Sequence, residues 1–267
     1  MPWAEVNGSC LRYRVDGDGG PVVLLVHEAG GCIESFDEVA ADLATGFRVV
    51  RYDQRGFGHS EPSNNFTLAT AVDDLAALVD HLALPCPIHV AGCALGGDIA
   101  AVFCRQQHER VASLVITSPR SEPMDEGRKA QLAAMGERIA SMGLRAIRDS
   151  YLVGLYPECL RALDPARFEQ YRARWTCNDA AAYGHLISML NEIDPRSIYP
   201  SIACETLVLA GTFDTSRPVA MACAVADMIP QGQFEALESG HFMAVQTPEL
   251  FAASVRRFVN AAIARTA

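Results

Sequence analysis

Short apolar segments with no polar face recur along the chain, separated by segments of helical periodicity. Pro21 to His27 reads PVVLLVH, and Thr206 to Ala210 reads TLVLA. A strand without alternation must be covered on both faces, as a central strand of a parallel sheet is. Arg48–Tyr52 (RVVRY), Pro87–Ala91 (PIHVA) and Val111–Thr117 (VASLVIT) are further strands. Between them, Glu34–Ala44, Leu68–Leu84 and Leu95–Gln107 carry apolar residues at helical spacing, for instance Val72, Leu75, Leu78, Val79 and Leu82. Strand and helix in alternation predict βαβ units with right-handed crossovers, an α/β class fold with a mostly parallel, doubly wound sheet. Asn7-Gly8 between two alternating runs predicts a hairpin ahead of it.

The rhythm breaks after Val111–Thr117. From Glu122 to Ser201 only helical patterns occur, and strands return at TLVLA and at Gln233–Leu237 before a final helix over Pro248–Ala264. The sheet is therefore expected to be split, with residues 1–121 and 202–267 building one core and residues 122–201 a helical insert.

Composition narrows the function. The chain has 267 residues, half of them hydrophobic, with a net charge of −10. An acidic chain lacks the basic face that nucleic acid requires. No apolar run reaches the ~20 residues of a membrane span, and no basic segment followed by an apolar run opens the chain. The nine cysteines are odd in number, scattered, and without a C-x-x-C pair, which disfavours both a disulfide framework and a zinc site. A cytoplasmic protein acting on a small molecule is expected, without membrane or nucleic-acid partner, metal or cofactor; self-association is left open.

Five motifs stand in order at the ends of the expected strands: HEAGG (His27–Gly31), DQRGFGHS (Asp53–Ser60), GCALGG (Gly92–Gly97), LVLAGTFD ending at Asp214, and ESGHFMAVQTPELF carrying His241. Together they resemble the α/β-hydrolase superfamily over essentially the whole chain, with a flavour of the 3-oxoadipate enol-lactonase branch and its C–C-cleaving and haloperoxidase-like relatives. The resemblance implies an α/β-hydrolase fold whose helical insert is a lid. It also implies a nucleophile at a strand–helix elbow, followed in chain order by an acid and a histidine. It places the elbow centre at position 94, the acid at Asp214 and the histidine at His241, with backbone N–H donors for an oxyanion at Ala29 and Leu95.

The elbow holds alanine. Ala94 reads either as a deliberate Ser→Ala change or as a natural loss. Cys93 does not replace the serine, because a shifted elbow would need glycine at positions 91 and 95, which hold Ala91 and Leu95. Without a nucleophile the covalent route is lost, whereas a His–Asp base and backbone donors remain able to activate water or abstract a proton. Glu28, where relatives often carry glycine, is a candidate acid or base beside the site. In the insert, YRARW places Arg174 beside Trp175, a pair suited to a carboxylate and an apolar surface, or to an ordinary solvated helix with one core aromatic. Asp53, Arg55 and Ser60 read as loop braces. The expected substrate is a small, carboxylated ester, lactone or 1,3-dicarbonyl. The other readings are a lyase, isomerase or cofactor-free oxygenase using the dyad, and an inactive ligand-binding module.

Overall fold

The VVLLV run sits at the centre of the sheet. In this computed structural model, which describes residues 2–63 and 67–266, it forms β3 (Val22–Val26), with all five side chains buried. Its alternate residues feed different cores: Val22, Leu24 and Val26 join one apolar cluster, Val23 and Leu25 the other. The remaining strands are β1 (Trp3–Val6), β2 (Ser9–Asp16), β4 (Arg48–Tyr52), β5 (Ile88–Cys93), β6 (Val111–Thr117), β7 (Glu205–Gly211) and β8 (Gly232–Leu237). They lie in the order β1-β2-β4-β3-β5-β6-β7-β8. Only the pairings of β2, with β1 and with β4, are antiparallel; the other five are parallel. Asn7 and Gly8 turn the hairpin with φ of 46° and 69°, as a two-residue type I′ turn requires. The last residues of the loop after β4, 64–66, lie outside the described residues.

Helices cover both faces. α1 (Asp37–Leu43) follows a 3₁₀ turn at Ile33–Phe36, so the predicted helix over Glu34–Ala44 is two elements rather than one. α2 (Leu68–His81) ends three residues before the predicted Leu84. The cause is a Schellman closure: Leu84 N–H bonds Val79 O and Ala83 N–H bonds Asp80 O, with Ala83 in the left-handed region at φ 44°. α3 (Leu95–Gln106) leaves the end of β5 and buries ten of its twelve residues.

The break in rhythm is a purely helical stretch: α4 (Glu126–Met142), α5 (Arg148–Leu155), α6 (Glu158–Leu163), α7 (Pro165–Thr176), α8 (Ala180–Glu192) and α9 (Pro195–Ile198). Aspartate marks four of these starts. Asp125, Asp164, Asp179 and Asp194 each accept a first-turn backbone N–H, the role for which a short acidic side chain suits an N-cap. α10 (Val219–Met228), α11 (Met243–Gln246) and α12 (Pro248–Thr266) complete the chain. Because β3, β5, β6, β7 and β8 run parallel, their carboxyl ends share one edge of the sheet. In open α/β sheets that edge is where ligands bind.

Candidate active site

The turn from β5 into α3 is tight because its neighbours are glycines. A Cβ on Gly92 would lie 2.3 Å from Gly96 O, and one on Gly96 would lie 2.2 Å from Val26 O. Between them Ala94 adopts φ 49°, ψ −116°, a region costly for any residue with a side chain. The turn expected to hold a nucleophile is thus strained at a residue whose side chain is a methyl group. Its N–H is held by Thr117 O at 3.2 Å. Cys93 is the last residue of β5 and is 1% exposed, packed in the core on the far side of the sheet from α3. Burial pushes its thiol well above the usual range, away from the reactive thiolate.

The loop after β7 carries Asp214 and the loop after β8 carries His241. The His241 Nδ1–H donates to Asp214 Oδ2 at 2.7 Å, which leaves Nε2 as the basic atom of the ring. The other carboxylate oxygen, Oδ1, accepts from Ser216 N–H (2.9 Å), Ser216 Oγ (2.8 Å) and Arg217 N–H (3.0 Å). Burial alone would raise the Asp214 pKa. The bonds from His241, Ser216 and Arg217 more than offset it and hold the group at about 2. Asp214 thus stays an anion at neutral pH, able to orient the imidazole and stabilise an imidazolium.

Ala94, His241, Ala29 and Leu95 line one cavity of about 300 Å³ at this edge. Leu95 is the first residue of α3, a position whose N–H has no acceptor within its own helix. Ala29 belongs to the loop after β3. That loop is fixed from below: His27 Nε2 accepts Gln54 N–H at 2.9 Å, and His27 Nδ1 lies 2.8 Å from Glu28 O. The DQRGFGHS loop is indeed a brace. Asp53 receives Arg12 Nε (2.5 Å), Ile33 N–H (2.7 Å) and His59 N–H (2.8 Å). Ser60 Oγ bonds Asp53 O at 2.7 Å, and Arg55 pairs with Asp74 at 2.6 Å.

Three residues singled out from the sequence stand outside the cavity. Glu28 is 1% exposed and accepts a hydrogen bond from Ser35 Oγ at 2.8 Å. Trp175 is fully buried, stacked on Tyr151 at 5.4 Å and packed over Gly30, where an added Cβ would meet its ring nitrogen at 2.6 Å. It is a core aromatic that covers the loop after β3. Arg174 lines a separate surface groove with Glu34 and Arg167. Neighbours on a helix diverge by about 100°, so Trp175 turning inward sends Arg174 away. The cavity's charged lining is instead Asp98, Arg120, Arg128 and Arg217. Arg120 and Arg217 follow the carboxyl ends of β6 and β7, the position that marks binding loops in this class. Ser118, also lining it, has φ 48° and donates to His241 O at 3.3 Å.

Among the described residues, one group offers metal-ligand atoms close together: Cys32, Glu34 and Asp53. Arg12 already pairs with both of its carboxylates, so the cation there is a guanidinium. None of the described helices is long and apolar enough to cross a membrane.

The chain's likenesses agree with this fold. An esterase from Thermogutta terrifontis, solved with malate bound, superposes with a TM-score of 0.92 at 26% identity, covering 98% of this chain and 99% of that one. The enol-lactonase of Burkholderia xenovorans superposes with a TM-score of 0.91 at 24% identity over 97% of this chain and 100% of that one. The 3-oxoadipate enol-lactonase 1 of Acinetobacter baylyi is 23% identical, covering 95% of this chain and 94% of that protein. The model of the alpha/beta hydrolase fold family matches residues 21–248, a range that contains Ala94, Asp214 and His241. The chain belongs to the alpha/beta hydrolase fold family.

Proposed function

We propose that the protein acts on a small, carboxylated ester, lactone or 1,3-dicarbonyl compound. One observation carries the reading: the Asp214–His241 pair, bonded at 2.7 Å, shares a cavity with the strained elbow at Ala94 and the first residue of α3. The substrate's carbonyl sits over Ala94 with its oxygen toward the N–H groups of Ala29 and Leu95. His241 Nε2 removes a proton from water, the oxygen adds to the carbonyl carbon, and Asp214 stabilises the imidazolium. His241 then returns the proton to the leaving group. Each N–H donor aimed at the developing oxyanion is worth about 10²–10³ in rate. The helices α4 to α8 act as a lid that supplies the apolar wall through Leu132, Met135, Leu186 and Ile187. The Thermogutta esterase, solved with malate bound, supports a carboxylated ligand.

The alanine itself favours a second reading, proton abstraction by His241 without hydrolysis, as in a lyase or isomerase. Two variants separate the readings. In the first, Ala94→Ser raises nitrophenyl acetate or butyrate hydrolysis by ~10³-fold or more, the scale of a missing nucleophile, and His241→Ala abolishes the gain. No gain from a folded Ala94→Ser protein overturns the hydrolytic reading and leaves proton abstraction by His241. Ligand binding that His241→Ala leaves unchanged, without turnover in any variant, points to a binding module.

A further inference from the structure

The guanidinium groups at the cavity serve neither the elbow nor the dyad. Arg120 is 7% exposed; its Nη2 donates to Leu190 O at 3.0 Å, and its Nη1 is buried without a hydrogen-bond partner among the described residues. Arg217, half-buried, donates from Nη1 to Ser216 O at 2.8 Å. Neither forms an ion pair among the described residues. Both line the cavity of Ala94 and His241, and both also line an adjoining groove of about 410 Å³ together with the exposed Arg128. They stand where the inner space meets the outer one.

The acids nearby are occupied. Glu122 pairs with Arg196, and Asp125 caps α4 through Arg128 N–H. Asp98 receives Tyr199 Oη–H at 3.0 Å, and burial favours its neutral form. Two cations close together under low exposure repel each other and are poorly hydrated, and here burial and the charge of Arg120 lower the Arg217 pKa by more than the charges of Asp98 and Asp214 raise it. An anion between them relieves both costs, and a planar carboxylate matches the guanidinium fork. That this occurs on a chain of net charge −10 makes the local excess of cation specific to the cavity mouth.

We infer that Arg120 and Arg217 form the carboxylate subsite of this cavity, selecting a substrate whose carboxylate lies at the mouth while its reacting carbonyl reaches Ala94 and His241. The inference rests on the preceding reading for where the carbonyl lies, but its test does not need turnover. Arg217 also ties recognition to the base, since its backbone N–H supports Asp214.

The unaltered protein, titrated calorimetrically with monomethyl glutarate and with dimethyl glutarate, compares a monoanion and a neutral ester on one skeleton. The monoanion is expected to bind at least ~10-fold more tightly, the scale of one charge-assisted pair. Arg217→Gln and Arg120→Gln should each cut that preference to ~2-fold or less, with Arg120→Lys retaining part of it. Arg217 is less buried than Arg120, so its variant tests the subsite even where Arg120→Gln fails to fold. Equal binding of the two esters, no binding of either, or a preference that survives Arg217→Gln overturns the inference. An esterase created by Ala94→Ser with no preference for the anion would overturn this subsite alone. A carboxylate preference without any turnover would overturn the hydrolytic reading alone.

Discussion

Ala94 bears a cost without the side chain that ordinarily justifies it. Its φ of 49° with ψ of −116° is worth on the order of 1–3 kcal/mol of strain, held in place by Gly92, Gly96 and the bond to Thr117 O. Ala94→Gly should therefore leave urea stability unchanged or raise it by up to about 1 kcal/mol, because released strain offsets the added chain entropy; a loss of 1 kcal/mol would show the strain to be absent. Gly96→Ala should have the opposite effect. Its Cβ would meet the rigid main chain at Val26 O at 2.2 Å, which should cost about 3 kcal/mol by the same measurement. Asp214 adds a pH dependence. Its folded pKa of about 2 lies below the usual 3.8, so its contribution is full above pH 4 and is lost as pH falls towards 2. The stability advantage of the unaltered protein over Asp214→Asn should be near 2 kcal/mol at neutral pH and shrink steadily below pH 4. An advantage independent of pH would mean the carboxylate is not what the pair depends on.

At the scale of elements, legibility in the sequence followed burial. β3 could be read because a strand covered on both faces must be apolar throughout; β4 and β6 matched their expected bounds too, β4 in spite of Arg48 and Arg51. α2 could not be bounded, since its closure places alanine, not glycine, in the left-handed position at Ala83. The motif residues Asp214 and His241 could be read because each follows a strand within a recognisable run. Arg120 and Arg217 could not, for each is a lone arginine in a loop and only the sheet's parallel edge brings them together. Arg174 and Trp175 mislead for a helical reason: adjacency in sequence is not adjacency on a helix. The loop after β4 was legible as a brace, and its load can be measured. Asp53 is fully buried and holds Arg12, the Ile33 N–H and the His59 N–H. Asp53→Ala takes from the buried Arg12 one of its two carboxylate partners and leaves the Ile33 and His59 N–H groups without their acceptor, and should cost roughly 3–5 kcal/mol in chemical denaturation, well beyond the loss from the exposed pair Lys129–Glu126, which is worth under ~1 kcal/mol.

The whole molecule joins parts of unequal cohesion. The sheet's core helix α3 buries ten residues, whereas the longer α4 buries only Leu132 and Ile139. Local opening free energy follows buried apolar contact, so the amides of α4 should exchange with solvent faster than those of β3, β5 and α3. Yet α4 also walls the cavity, through Arg128, Leu132 and Met135, and α8 faces it across the same space through Tyr183, Leu186 and Leu190. A ligand seated there touches both the rigid strand ends and the loosely held helices, so its binding energy must stabilise the helices more than the sheet. Hydrogen exchange read by mass spectrometry, with and without monomethyl glutarate, should show slowing concentrated in α4 and α8 and little change in β3 and β5. Slowing confined to the sheet, or spread evenly over the chain, would mean that the helices do not close on the occupant. Slowing in α4 that persists in Arg217→Gln at saturating ligand would separate closure from recognition, placing the first in the apolar wall and the second in the arginines at the mouth.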